Sequence, residues 1–239
     1  VFGQLFFAPL GPTGAQIAAW ASLGISFLFR PLGAVIAGHL GDRLGRKKML
    51  VLTLILMGLA TSLIGVLPTY ADIGIGATVM LVLLRVLQGF SAGGEWGGAA
   101  LMSVEHAPKG KRGLFGAYPQ FGVPVGMILA TFTMWVLTST LTPEAFLAWG
   151  WRLPFLFSIV LIVVGYLIRR AVEESPIFTE LQQRRSESSA PLATLFRHHG
   201  REVILTALIF IANNAAGYLL IAFFSTYVST VVGMPRPTA

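Results

Sequence analysis

Long apolar runs separated by short polar segments set the pattern of this chain. MLVLTLILMGLATSLIGVL (49–67) and LPFLFSIVLIVVGYLI (153–168) carry no charged residue, and each approaches or meets the roughly 20 residues that cross a bilayer core. The pattern predicts an all-α, polytopic membrane protein with helices at about 15–39, 49–67, 77–104, 113–139, 150–169 and 202–231. The apolar start, residues 1–8, reads as the tail of a truncated first helix. It has neither an initiator methionine nor a charged n-region, so it is not read as a signal peptide. MPRPTA ends the chain just after another apolar run, so a fragment of a longer product is expected. Gly11-Pro12, Pro68-Thr69 and Thr142-Pro143 mark turns on one side of the membrane.

Composition agrees with this pattern. The chain is 55% hydrophobic and 11% charged, against roughly 25% charged residues in a soluble domain. Cysteine is absent, which excludes thiolate metal sites and disulfides. A net charge of +7 raises the question of nucleic acid, and its distribution answers it. Thirteen of the seventeen Lys and Arg fall near residues 40–48, 105–112 and 169–201, while the alternate connections near 9–14, 68–76 and 139–148 have none. Such asymmetry is a topology signal, placing the three basic segments in the cytoplasm, and nucleic acid is not an expected partner.

The stretch 170–201 reads as a cytoplasmic linker. Within it Ser175-Pro176 opens a short helix, PIFTELQQRR, which would lie on the membrane face. The bundle before it is expected over 1–169, and the first helix of a second, incomplete bundle over 202–239.

A few polar residues interrupt the spans. In RVLQGFSAGGEWGG, Gly89, Gly93 and Gly97 recur every four residues, leaving a bare stripe for close helix packing. Arg85, Gln88 and Glu95 share a different face, within an arc of roughly 80°. Arg85 and Glu95 are about 15 Å apart along the axis, so each needs a partner from another helix. Arg30 lies at a depth similar to that of Glu95 in the second span, which predicts a buried Arg30–Glu95 ion pair. Tyr118 and Gln120 sit among two prolines and two glycines in YPQFGVPVG, either as cavity lining or beside a packing kink. Asn214 and Tyr218 stand four apart on one face of the last span, as cavity groups or interhelical glue. Trp149, Trp151 and Arg152 read as an interfacial anchor without chemistry.

The loop GHLGDRLGRKK turns tightly between two spans. Gly38, Gly41 and Gly45 stand where the backbone must bend or approach a neighbour. Asp42 beside Arg43, Arg46 and Lys47 offers charge-assisted bonds to a helix end. This loop resembles the signature of the major facilitator superfamily, G-x-L-x-D-R-x-G-R-(K/R)-(K/R), at the family's position between the second and third spans. RVLQGFSAGGEWGG resembles the family's fourth-helix signature. With GEWGGAALMSVEHAP, FLAWGWRLPFLFS and VEESPIF, the chain is similar to the metabolite:proton symporter branch, whose members carry shikimate, α-ketoglutarate, citrate, or proline and betaine. The likeness runs from residue 1 to about 231 and is specific for the branch, not for a substrate.

The resemblance implies the N-terminal six-helix half of a major facilitator fold, plus linker and seventh helix, in the inner membrane. It implies a secondary active transporter carrying a small organic acid or zwitterion with a proton by alternating access, completed by a C-terminal bundle. Arg85 would face an acid on the first helix and help bind an anionic substrate, while Glu105 would pair with Arg43 or Arg46 as a gate. No bound cofactor is needed, since the proton gradient supplies the driving force. A proton-independent facilitative carrier is the alternative, and a membrane-embedded enzyme a remoter one. Neither H-E-x-x-H, nor a P-loop, nor G-x-S-x-G occurs, so no enzyme and no metal site is expected.

Overall fold

A computed structural model describes residues 1–171 and 191–218, without the side chains of 191–194, Asn214 and Tyr218. The chain divides into two compact units, Val1–Arg185 and Ser186–Ala239. The first contains α1 (Phe2–Phe6), α2 (Gly11–Leu44), α3 (Arg46–Val66), α4 (Tyr70–Ile73), α5 (Ile75–Glu105), α6 (Arg112–Thr140), α7 (Pro143–Ala148) and α8 (Leu153–Ala171). The second contributes α9 (Pro191–Tyr218). There is no strand among the described residues.

Among the described residues, five stretches are long and apolar enough to cross a membrane: Ala8–Leu44, Arg46–Val66, Ile75–Glu105, Arg112–Thr140 and Gly150–Ala171. Several run past the hydrophobic segments that predict them, because nothing ends a helix until a turn residue does. Gly45, at φ 108°, separates α2 from α3 in a conformation that a side chain would resist. At the other end of α3, Pro68 and Thr69 intervene before α4. There Thr69 and Asp72 form a reciprocal capping box, with Asp72 Oδ2 accepting from Thr69 N at 2.7 Å and Thr69 Oγ1 at 2.8 Å. These bonds hold the Asp72 carboxyl below the usual carboxylate range. Pro31 in α2, and Pro119 and Pro124 in α6, are contained within continuous helices. α9 starts before residue 202 and is broken at His199 (φ −129°, ψ 25°). Its expected continuation to 231, and the short helix expected over 176–185, lie outside the described residues.

The first unit is held differently at its two ends. At the end away from the basic segments, Phe6, Ile64, Leu81, Phe146 and Trp151 belong to one buried apolar cluster. Phe2, Phe6, Trp151 and Phe155 meet there with ring centroids 5.6–6.1 Å apart, most of them edge to face. Trp151 is 2% exposed, so its expected role as an interfacial anchor is replaced by a place in the core. Trp149 remains exposed. Arg152 donates to the carbonyls of Gly65 (3.0 Å) and Leu67 (2.6 Å), capping the C-terminal end of α3, where its charge opposes the helix dipole.

Midway, α2 and α5 touch backbone to backbone. A Cβ on Gly89 would strike the Ser26 carbonyl, one on Gly93 the Arg30 carbonyl, and one on Gly33 the Phe90 carbonyl. Gly97 does not extend this stripe, because no foreign atom lies within 4 Å of its Cβ position. Toward the basic end the close approach to α2 passes to Gly94, against Ala37, while Gly98 faces Leu50 of α3.

Candidate functional site

The 42–47 turn and the ends of α5 and α8 meet at one end of the first unit. Arg46, at the first position of α3, forms an ion pair with Glu105, at the last position of α5, where the two side chains are 14% and 7% exposed. Asp42 approaches Arg46 at 3.9 Å from the preceding turn of α2. Lys47 Nζ donates to the Arg170 carbonyl at 3.0 Å, joining α3 to the end of α8. Of the two arginines expected to approach Glu105, it is Arg46 that does so, while Arg43 is exposed. A Cβ on Gly41 would lie 3.6 Å from Met49 Cγ and Gly45 makes the turn, but a Cβ on Gly38 would meet nothing within 4 Å. A crevice of about 140 Å³ lies between α2, α3 and α5 here, with Gly38, Asp42, Arg46, Gly93 and Gly97 among its lining.

Glu95 does not pair with Arg30. Its partner is Arg169, whose Nη2 lies 2.5 Å from Glu95 Oε1, with side chains 22% and 28% exposed. Arg169 Nη1 also donates to the Leu50 carbonyl, so one guanidinium ties α8 to both α5 and α3. Arg30 is exposed and stacks over the Phe27 ring at 4.2 Å. The physical reason is azimuth: the Arg30 carbonyl abuts Gly93, and equal depth along two helices does not make two side chains converge. Arg169 escaped the sequence reading because it was counted among topology-setting charges. The signal available was its place at the end of a 16-residue uncharged run, within reach of a span acid lacking a partner.

Nearer the opposite end, Arg85 projects toward α1, with its guanidinium 5.3 Å from the Phe2 ring centroid. Nη1 donates to Gln88 Oε1 at 3.1 Å. Gln88, 7% exposed, donates through Nε2 to Thr61 Oγ1 at 2.8 Å, and Thr61 donates to the Met57 carbonyl at 2.7 Å. Arg85 Nε is buried with no partner among the described residues. Gln88 is thus a buried bridge between Arg85 and α3. Thr61 was not singled out in sequence, since a threonine in a span can satisfy its hydroxyl on its own helix.

Tyr118 and Gln120 are not brought to this network. Tyr118 is 54% exposed and meets Phe115 edge to face at 5.5 Å, and Gln120 is exposed on the same helix, none of whose residues is buried. The side chains of Asn214 and Tyr218 lie outside the described residues.

Residues 12–195 match the family described as "Sugar (and other) transporter". The shikimate transporter of Escherichia coli is 46% identical over 239 residues, covering 99% of this chain and 54% of that protein. The inner membrane metabolite transport protein YhjE of the same organism is 43% identical, with the same coverage. The proline/betaine transporter of Salmonella typhimurium is 36% identical over 95% of the chain and 47% of its own length. The chain therefore spans about half the length of the relatives it matches. Among solved structures, the inward-open xylose transporter XylE from E. coli has a TM-score of 0.65 at 17% identity, over 96% of this chain and 55% of that one. The proton:xylose symporter XylE bound to 6-bromo-6-deoxy-D-glucose gives 0.67 at 17% identity, over 95% and 50%. At such identities these structures speak to the fold.

Proposed function

The chain belongs to the sugar (and other) transporter family of the major facilitator superfamily, and from that membership we propose that it is the first bundle of a proton-coupled carrier for small carboxylates or zwitterions. The carrier works in the inner membrane by alternating access, with the basic end of the bundle facing the cytoplasm. A second bundle, beginning with α9, completes the path and supplies Asn214 and Tyr218 to it.

Arg85 carries this reading. It is a charge within a span whose hydrogen-bond partner is a neutral amide. A span charge left without an opposite charge costs several kcal/mol, an amount that an arriving anion offsets. Gln88 occupies Nη1, which leaves Nε and Nη2, the edge that receives a carboxylate through two parallel bonds. Shikimate, proline and betaine, the cargoes in the relatives' names, share a carboxylate. The same edge serves a protonatable acid on the first helix, so proton and substrate compete for one guanidinium, which couples their movements. Tyr118 and Gln120 face the path from α6, and Arg30 stands at its edge. The Arg46–Glu105 pair, with Asp42, Arg43 and Lys47 around it, closes the cytoplasmic end in one of the two states.

Uptake into proteoliposomes holding the full-length protein tests the proposal, using shikimate, 2-oxoglutarate, proline and betaine. An acid-outside gradient accelerates uptake of at least one of them, a protonophore collapses the acceleration, and Arg85→Gln abolishes it. Protonophore-insensitive uptake would replace symport with facilitated diffusion. Unchanged uptake by Arg85→Gln would remove the carboxylate site.

A further inference from the structure

We propose that Thr61 is a positioning residue for transport, setting the orientation of Arg85 through Gln88; the inference rests on the role given to Arg85 above. The chain of bonds has one direction. The Thr61 hydroxyl hydrogen is committed to the Met57 carbonyl, so its oxygen is left to accept from Gln88 Nε2. With its nitrogen held by Thr61, the amide must present Oε1 to Arg85 Nη1. A flipped amide would set NH₂ against guanidinium N–H, donor against donor, and leave Thr61 facing an oxygen that it has no hydrogen to meet. Gln88 is almost fully buried, so water does not substitute for either partner.

The consequence lies at the other edge of the guanidinium. With Nη1 held by a buried amide and the guanidinium carbon 5.3 Å from the Phe2 ring centroid, the Nε–Nη2 edge is oriented before cargo arrives. Binding then does not have to freeze a free arginine rotamer. Removing the Thr61 oxygen releases the amide, and with it the arginine, without touching the cargo. The helix α3 is in this way a working part of the site, although it contributes no charge to it.

Thr61→Val keeps the branched shape and deletes the acceptor; Thr61→Ser keeps the oxygen. In the proteoliposome assay, Thr61→Val raises KM for the transported carboxylate about tenfold, equivalent to about 1.4 kcal/mol, and also lowers thermal stability, because the buried Gln88 Nε2 loses its acceptor. Thr61→Ser restores KM. Gln88→Leu reproduces the defect, and Thr61→Val added to Gln88→Leu makes it no worse, because both changes cut one relay. Arg85→Gln, run beside them, separates the two claims: if it leaves uptake intact, the role of Arg85 fails, whereas if it abolishes uptake while Thr61→Val transports normally, the relay alone fails. A Thr61→Val protein with parental KM, losing Vmax only in step with its stability, also overturns the relay.

Discussion

Breaking the Glu95–Arg169 contact is the most direct perturbation of the bundle. Arg169 donates to a carboxylate at 2.5 Å and to the Leu50 carbonyl, with both charged side chains less than a third exposed. Hydrogen bonds to charged groups contribute about 1.5–3 kcal/mol each. Partial access of water puts the sum for Arg169 near the lower limit, so Arg169→Met is expected to cost about 3 kcal/mol. Glu95→Gln leaves an oxygen that still accepts from Arg169 and costs about 1 kcal/mol. A double-mutant cycle measured by SDS unfolding of the full-length protein should give a coupling of about 1–2 kcal/mol. Replacing both partners, as Glu95→Leu with Arg169→Met, should recover part of the loss, because no stranded charge remains. Additive single effects, with coupling below about 0.5 kcal/mol, would refute the reasoning. A cycle showing strong Arg30–Glu95 coupling instead would restore the partner that depth alone predicts.

Three further outcomes follow from specific contacts. Gly93→Ala drives a methyl into the Arg30 carbonyl and should lower stability by about 3 kcal/mol, whereas Gly97→Ala, with open space at its Cβ, should gain up to about 1 kcal/mol of helix propensity; thermal unfolding of the two variants gives opposite signs. Asp72, held by the Thr69 amide and hydroxyl, should titrate below the ordinary carboxylate range in a ¹³C NMR experiment. Its stabilisation of the turn is complete above the unfolded pKa and lost as pH falls through the lowered folded value, and Asp72→Asn abolishes that dependence. Glu105→Gln weakens the bond to Arg46 and should change the ratio of inward-open to outward-open molecules about tenfold, for about 1.4 kcal/mol, as read by distance labels across the basic end; an unchanged distribution would remove the gating role.

The helices were legible because a bilayer leaves little choice: a span needs about 20 apolar residues, and charges collect at its ends. Gly45 was legible as a turn, and the approach of Glu105 to the loop arginines only through the family resemblance. What the sequence did not disclose was rotation and relative height. Arg30 and Glu95 match in depth, yet the Arg30 backbone is pressed against Gly93 and its side chain lies elsewhere. α5 has 31 residues and α8 has 19, so the last turn of α8 comes level with Glu95 rather than with Glu105. A count of basic residues treats both helix ends as lying in one plane, and so missed Arg169. The four-residue repeat likewise named Gly97 as a contact, whereas two crossing helices hold one stripe for only a few turns before the approach to α2 moves to Gly94 and the next glycine, Gly98, faces α3 instead.

The glycines and the charges of α5 answer one requirement. In the proposed alternating-access carrier a bundle that rocks as a unit must be stiff within itself, and α5 ties together α2 through Gly89 and Gly93, α3 through Gln88 and α8 through Glu95. Small residues allow backbones to approach where lipid offers no hydrophobic drive for helix association. The two charges are then distinguished by what answers them. Glu95 has an arginine at salt-bridge distance, so an arriving anion or proton meets a site already neutralised. Arg85 has an amide, and its field is left for something that moves. It follows that Glu95→Gln should lower stability while leaving KM and the pH profile of uptake within about twofold, less than 0.5 kcal/mol, whereas Arg85→Lys should hold stability and raise KM for carboxylates, since an ammonium lacks the planar fork. If Glu95→Gln instead moved the pH profile with stability intact, Glu95 would be a titrating member of the pathway, and the division between structural and transport charges on α5 would be wrong.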